Sequence, residues 1–219
     1  MIPVRPAEEP SNFDADVRRP GLRAIAERVG EMPPRTAGQR YKQVADSREE
    51  IPAAAFPAYW SRALDDLMER YDRICSYSSL YIHPVTGARS VDHMVAKSMR
   101  WNQVYEWTNY RLACSLMNAR KDTIASVLDP FEIQDGWSAL ELVGFQVVSG
   151  EGLAGDDVAA VEDTIRRLRL NDLICCEARA EYAEDYWDRQ VRFDYLTRRA
   201  PFVARELQRQ GRLHEEDRG

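Results

Sequence analysis

Asp92 and His93 stand side by side in the run Val91-Asp92-His93-Met94-Val95-Ala96-Lys97-Ser98. Hydrolysing a phosphodiester requires a base to deprotonate water, a positive charge to stabilise the pentavalent phosphorane, and help for the leaving oxygen. An imidazole beside a hard oxygen ligand supplies two of these. Successive side chains on a regular strand point to opposite faces, so the pair must sit where a strand ends or bends if both groups are to converge on one phosphate. Downstream, Cys114, Asn118 and Lys121 recur at three- to four-residue spacing, which on a helix places them on one face. From that face Asn118 can offer its amide oxygen to a cation. An Asp and an Asn, completed by water and phosphate oxygens, form a coordination sphere that Mg²⁺ tolerates.

The elements that must hold these groups follow from periodicity. Leu80-Tyr81-Ile82, the turn signal Pro84-Val85-Thr86-Gly87 and Ser90-Val91-Asp92 predict a β-hairpin with Asp92 and His93 at the end of its second strand. A loop rich in Trp, Asn and Tyr leads to a predicted helix from about Asn109 to Lys121. Ahead of this unit, Trp60, Leu64, Leu67, Met68 and Tyr71 form one apolar stripe on a helix opened by Pro57. Residues 1–20, with four prolines, read as an extended arm, followed by a short helix over Leu22–Val29 ended by Gly30. Beyond the unit, Leu140 to Val148 is a candidate strand and Asp156 a candidate cap for a helix carrying Val158, Val161, Ile165 and Leu168. Further helices are expected around Leu173–Gln190 and Tyr195–Gln210, then a solvated tail from His214 to Gly219. The segments divide as an arm with a short helix (1–54), a central unit with its preceding helix (55–135), and a strand with a helical layer (136–219).

Bulk properties narrow the classes. The chain has 219 residues, 44% hydrophobic and 30% charged, the balance of a protein that folds in water around its own core. No run approaches the length of a membrane span, and the N-terminal residues lack the apolar core of a signal peptide, so a cytoplasmic protein with reduced thiols is expected. The formal charge of −6 argues against coating nucleic acid by bulk electrostatics. Between Arg73 and Lys121, however, seven basic residues face two acidic ones, a local excess of +5.

The ordered set Asp-His, then Lys97-Ser98, then Trp107-x-Asn109-x-x-Leu112-Ala113-Cys114, then Asn118-x-x-Lys121 resembles the HNH endonuclease motif. More narrowly, the chain resembles the PtuB-like HNH effectors of Septu and retron-type bacterial anti-phage systems, over about Arg73 to Pro130. The resemblance implies an α+β protein in which a ββα-metal core is embedded in helices. It implies His93 as general base, Asp92 and Asn118 as ligands of Mg²⁺ or Mn²⁺, and Asn109 as a supporting polar residue at the start of the helix. Lys97, Arg120 and Lys121 are then expected on phosphate. DNA as substrate and an ATPase as partner follow from the same resemblance, with an inactive assembly subunit or a stand-alone nuclease as alternatives. Many relatives carry two C-x-x-C pairs around a structural zinc. Here those positions read Cys75-Ser76-Tyr77-Ser78 and Cys114-Ser115-Leu116-Met117, so no structural zinc is expected and a packing contact should stand in its place.

Overall fold

Tyr110-Arg111-Leu112-Ala113-Cys114 decides the architecture. In the computed structural model, which describes residues 1–218, this segment is a strand (β2, Tyr110–Cys114) and not the first turns of a helix. Its partner is β1, Arg89–His93, antiparallel in the register Val91↔Leu112, Asp92↔Arg111 and His93↔Tyr110. Tyr110 to Ala113 are buried on both faces, so the segment lacks the polar alternation that marks a half-exposed strand. The helix begins only at Ser115 and runs for two turns (α3, Ser115–Lys121).

The order is therefore strand, long loop, strand, helix. Asp92 and His93 end the first strand of the pair, not the second strand of a hairpin with 80–82. Tyr81 instead makes a lone bridge with Ile74. The Pro84–Gly87 turn forms, with the Gly87 amide bonded to the His83 carbonyl at 2.8 Å, and it delivers the chain into β1. A Cβ at Gly87 would stand 2.5 Å from the His83 nitrogen, so only glycine closes this turn.

The remaining elements form a helical surround. A π-helical turn over Asp14–Arg18 runs into α1, Arg19–Arg28. A 3₁₀ turn over Tyr59–Ala63 precedes α2, Leu64–Arg70. The extended arm is tied in: the Val4 amide bonds the Pro130 carbonyl at 2.8 Å, and the Trp107 indole bonds the Ala7 carbonyl at 2.8 Å. Phe13 packs edge-on against Trp107 and Tyr110, at 5.6 and 5.7 Å.

On the C-terminal side, the single candidate strand is a hairpin of two, β3 (Ser138–Leu140) and β4 (Val147–Ser149). Helix α4 spans Gly155–Arg167, with Ala154 as its cap residue and Asp156 in the first turn, where its charge suits the helix dipole. Helix α5 spans Leu173–Trp187. The expected last helix is two, α6 (Phe193–Arg199) and α7 (Pro201–Arg209), because Pro201 forces Ala200 out of helical geometry. Arg179, almost fully buried on α5, bonds the Phe145 and Leu170 carbonyls at 2.8 Å each and stitches hairpin to helices. The expected solvated tail is docked: the His214 amide bonds the Tyr186 hydroxyl at 2.9 Å, and that hydroxyl bonds Asp217 at 2.7 Å. Gly219 lies outside the described residues. Buried side chains from all three expected segments share one apolar core. Among the described residues no helix is long and apolar enough to cross a membrane.

Candidate functional site

At the end of β1 the imidazole of His93 is gripped between aromatic rings. Trp60 lies edge-on at 4.9 Å and Tyr110, its cross-strand partner, at 5.2 Å. Its Nε2 is 3.0 Å from the Val104 carbonyl, which also accepts the Tyr110 hydroxyl at 2.9 Å. A carbonyl only accepts, so this contact assigns the ring proton to Nε2. Nδ1 is left with its lone pair and has no hydrogen-bond partner among the described residues. Burial, reinforced by the charge of Lys97, lowers the imidazole pKa to about 3, so the ring is neutral at any physiological pH.

The loop between the strands supplies that carbonyl, and Asn109 holds the loop. Its amide oxygen accepts the Val95 N–H at 2.7 Å, and its amide nitrogen donates to the Val95 and Gln103 carbonyls at 3.0 Å each. Asn109 closes a 3₁₀ turn just before β2 and is buried, so it holds this loop from a strand entrance and not from the helix start expected for it.

Asp92 is only 2% exposed. One carboxylate oxygen accepts the Tyr77 hydroxyl, and the other lies 3.2 Å from Lys121 Nζ. Burial raises the carboxyl pKa, with Lys121 and Tyr77 acting against the rise. Lys121 also donates to the His93 carbonyl at 2.9 Å and is fully buried, so it joins α3 to β1 and presents no ammonium to a phosphate. Arg120 is likewise spent internally. Its guanidinium donates to the Leu168 and Arg169 carbonyls at 3.1 and 2.9 Å and pairs with Asp172 at 2.8 Å. Both cations are turned to protein acceptors, with side chains 11% and 1% exposed, so the phosphate contacts expected of Arg120 and Lys121 have no free charge to make them.

Lys97 is different. Its ammonium sits 4.2 Å from the centre of the Trp60 ring and makes no ion pair among the described residues. Burial lowers its pKa. Trp60, Asp92, His93, Lys97 and Asn118 line one cleft of about 390 Å³. Asn118 enters from α3, half-exposed, with no side-chain hydrogen bond among the described residues. The exposed carboxylate of Asp122 lines the same cleft.

The sequence therefore pointed to four of the residues that line this cleft and missed three contributors to the site. Trp60 read as part of a core stripe, yet its ring faces both His93 and Lys97. Tyr77 lay in what read as the approach to a hairpin. Asp122 follows the motif directly, and only its position just past the helix end could have marked it. Asp129 stands in a turn, accepting the Phe131 amide at 3.0 Å, and takes a two-pronged salt bridge from the buried Arg111, with Nε to Oδ1 at 2.7 Å.

The cleft offers a divalent cation few donors, since both Asp92 oxygens already face Tyr77 and Lys121. Among the described residues no group of three or more His, Cys, Asp or Glu could hold a metal. Asp92 and the unpartnered amide of Asn118 provide two protein oxygens on one cleft, the sparse set that suits a largely hydrated Mg²⁺. Cys75 and Cys114 do meet, the Cys114 amide donating to the Cys75 sulfur at 3.4 Å. Burial alone would raise the Cys75 pKa, but hydrogen bonds from Cys114 and Ser78 outweigh it and lower the thiol below its ordinary value. The contact is thus polar rather than the purely apolar packing expected. Compared with known proteins, the chain matches no family model and no curated protein sequence.

Proposed function

We propose that the chain is a metal-dependent nuclease of the HNH type, acting on DNA phosphodiesters. The observation that carries this reading is the fixed tautomer of His93. A neutral imidazole, bonded through Nε2–H to Val104, keeps a free Nδ1 on a residue that shares a cleft with Asp92, Asn118 and Lys97. In this reading Nδ1 takes a proton from water and the resulting hydroxide attacks phosphorus in line. The P–O3′ bond breaks, and the leaving oxygen is protonated from solvent. Lys97 binds a non-bridging phosphate oxygen, oriented by the Trp60 ring. Asp92 and Asn118 would hold Mg²⁺ or Mn²⁺, which when bound supplies charge stabilisation to the phosphorane and the leaving oxygen. The acidic chain binds DNA weakly by itself, so a partner supplies targeting; an ATPase in a bacterial anti-phage system, inside the cytoplasm, is the partner we propose.

One observation favours a second reading. Lys121 already neutralises Asp92, and a carboxylate with a buried ammonium at 3.2 Å is a poor place for a second cation. On that ground the core would be a non-catalytic assembly subunit.

Incubating the purified chain, with and without its ATPase, on supercoiled plasmid in Mg²⁺ or Mn²⁺ separates the two. Catalysis predicts cutting that EDTA stops and that His93→Ala slows by about 10²- to 10⁴-fold, the usual share of a general base. Cutting that survives in His93→Ala removes the mechanism. No cutting under any of these conditions establishes the second reading.

A further inference from the structure

On the far side of the Cys75 turn lies a second cleft, of about 770 Å³, between the N-terminal arm, the end of α2 and the α6–α7 junction. Four guanidiniums border it: Arg5, Arg70, Arg198 and Arg199. The lone carboxylate among its lining residues is Asp72, so the cleft is strongly positive in a chain of net charge −6. Arg5 and Arg70 are exposed and make no ion pair or side-chain hydrogen bond among the described residues. Arg199 is held in place, its guanidinium 3.6 Å from the centre of the Tyr81 ring. Arg198 is paired with Asp194 at 3.0 Å, so the charges left without counter-ions are those of Arg5, Arg70 and Arg199, and their repulsion is one that an anion would relieve.

An independent observation points the same way. Ser79 lines this cleft, is 1% exposed, and its hydroxyl has no hydrogen-bond partner. A buried hydroxyl left unpaired is expensive, and it leaves an unmet polar group in the wall of this cleft. Ser79 is held at φ 55° and Asp72 at φ 49°, left-handed conformations unusual for these residues. Such strain persists where the surrounding structure enforces a shape, and it gathers at ligand sites. The cleft also has an apolar side, lined by Ile2, Val4, Ile74 and Pro201.

We infer that this cleft is a nucleotide-binding site, with the unpaired Arg5 and Arg70 gripping a polyphosphate beside Arg199, and the apolar side receiving the base. Guanidiniums match phosphate oxygens two at a time, and the volume lies within the range of small-molecule pockets. The site shares no lining residue with the His93 cleft and does not depend on the nuclease reading.

Calorimetric titration of the full chain with ATP, pyrophosphate and adenosine tests it. Saturable ATP binding is expected, with pyrophosphate weaker and adenosine undetectable. Arg5→Ala/Arg70→Ala should weaken ATP at least tenfold, since hydrogen bonds to charged groups are being lost. Both residues are exposed and unpaired, so the thermal midpoint of the unliganded double variant should equal that of wild type. Lys97→Ala, in the other cleft, should bind ATP as wild type does. Absence of saturable ATP binding, binding unaffected by the double variant, or binding lost in Lys97→Ala each overturns the inference. Pyrophosphate binding as tightly as ATP overturns the nucleotide assignment.

Discussion

Lowering the pH from 7 to 5 should unfold this protein partly through one ring. In the unfolded chain the His93 imidazole takes up a proton near pH 6.5, whereas in the folded protein burial and Lys97 hold that event down to about 3. The stabilisation is therefore complete above about pH 6.5 and is lost as the pH falls through the window toward 3. Within that window each pH unit is worth about 1.4 kcal/mol. Between pH 7 and pH 5 the loss attributable to His93 is about 2 kcal/mol, and it depends on the unfolded value rather than on how far below 4 the folded one lies. Urea titrations followed by tryptophan fluorescence at both pH values, on wild type and His93→Gln, isolate the effect. Other titrating groups, and any fixed cost of the substitution, cancel in the difference of differences. Wild type should lose about 2 kcal/mol more than the variant between the two pH values. An equal loss in both would mean that the folded imidazole titrates as it does in water, and with it would go the neutral, pre-oriented base.

Three further outcomes follow from the contacts. Lys121→Met leaves the Asp92 carboxylate buried beside Tyr77 without its cation and should cost about 3–5 kcal/mol in denaturant unfolding, with Lys121→Met/Asp92→Asn recovering much of it. Asn109→Ala removes the three bonds that close the loop carrying Val104. It should cost about 1–3 kcal/mol and bring fast amide exchange to residues 95–103, and slow exchange there would contradict the clasp. Gly87→Ala forces a Cβ against the His83 backbone and should cost about 1–3 kcal/mol by thermal melting, whereas Gly136→Ala meets no neighbouring atom and loses stability only through its positive φ of 86°.

The residue types at the site were legible in sequence, and their surroundings much less so. Of the side chains picked out by spacing, Asp92, His93, Lys97 and Asn118 line one cleft across β1, the loop and α3, whereas Arg120 and Lys121 do not. The element carrying the middle of the pattern was misjudged. Tyr110–Cys114 is buried on both faces, and an apolar run of five residues shows neither a period of two nor one of 3.6. Lysines are mostly exposed, so nothing local marked Lys121 as interior; its burial depends on a carboxylate in a different element. Trp60 and Tyr77 illustrate the same limit. Trp60 read as part of a core stripe and Tyr77 as a residue on the way to a hairpin, and the role of each exists only where the 59–63 turn and the 75–79 segment meet the end of β1. The break between α6 and α7, by contrast, is legible at Pro201, which a single helix over Tyr195–Gln210 cannot accommodate in its interior.

Helix α3 is two turns long, too short to keep its own direction in water. Two neighbouring cations act as its mountings, Lys121 bolted to the end of β1 and Arg120 to the 168–172 turn. The amide of Asn118 rides between these anchors and the start of the helix. The helix that carries Asn118 is therefore fixed by two distant parts of the chain at once, and the C-terminal layer takes part in placing a residue of the His93 cleft.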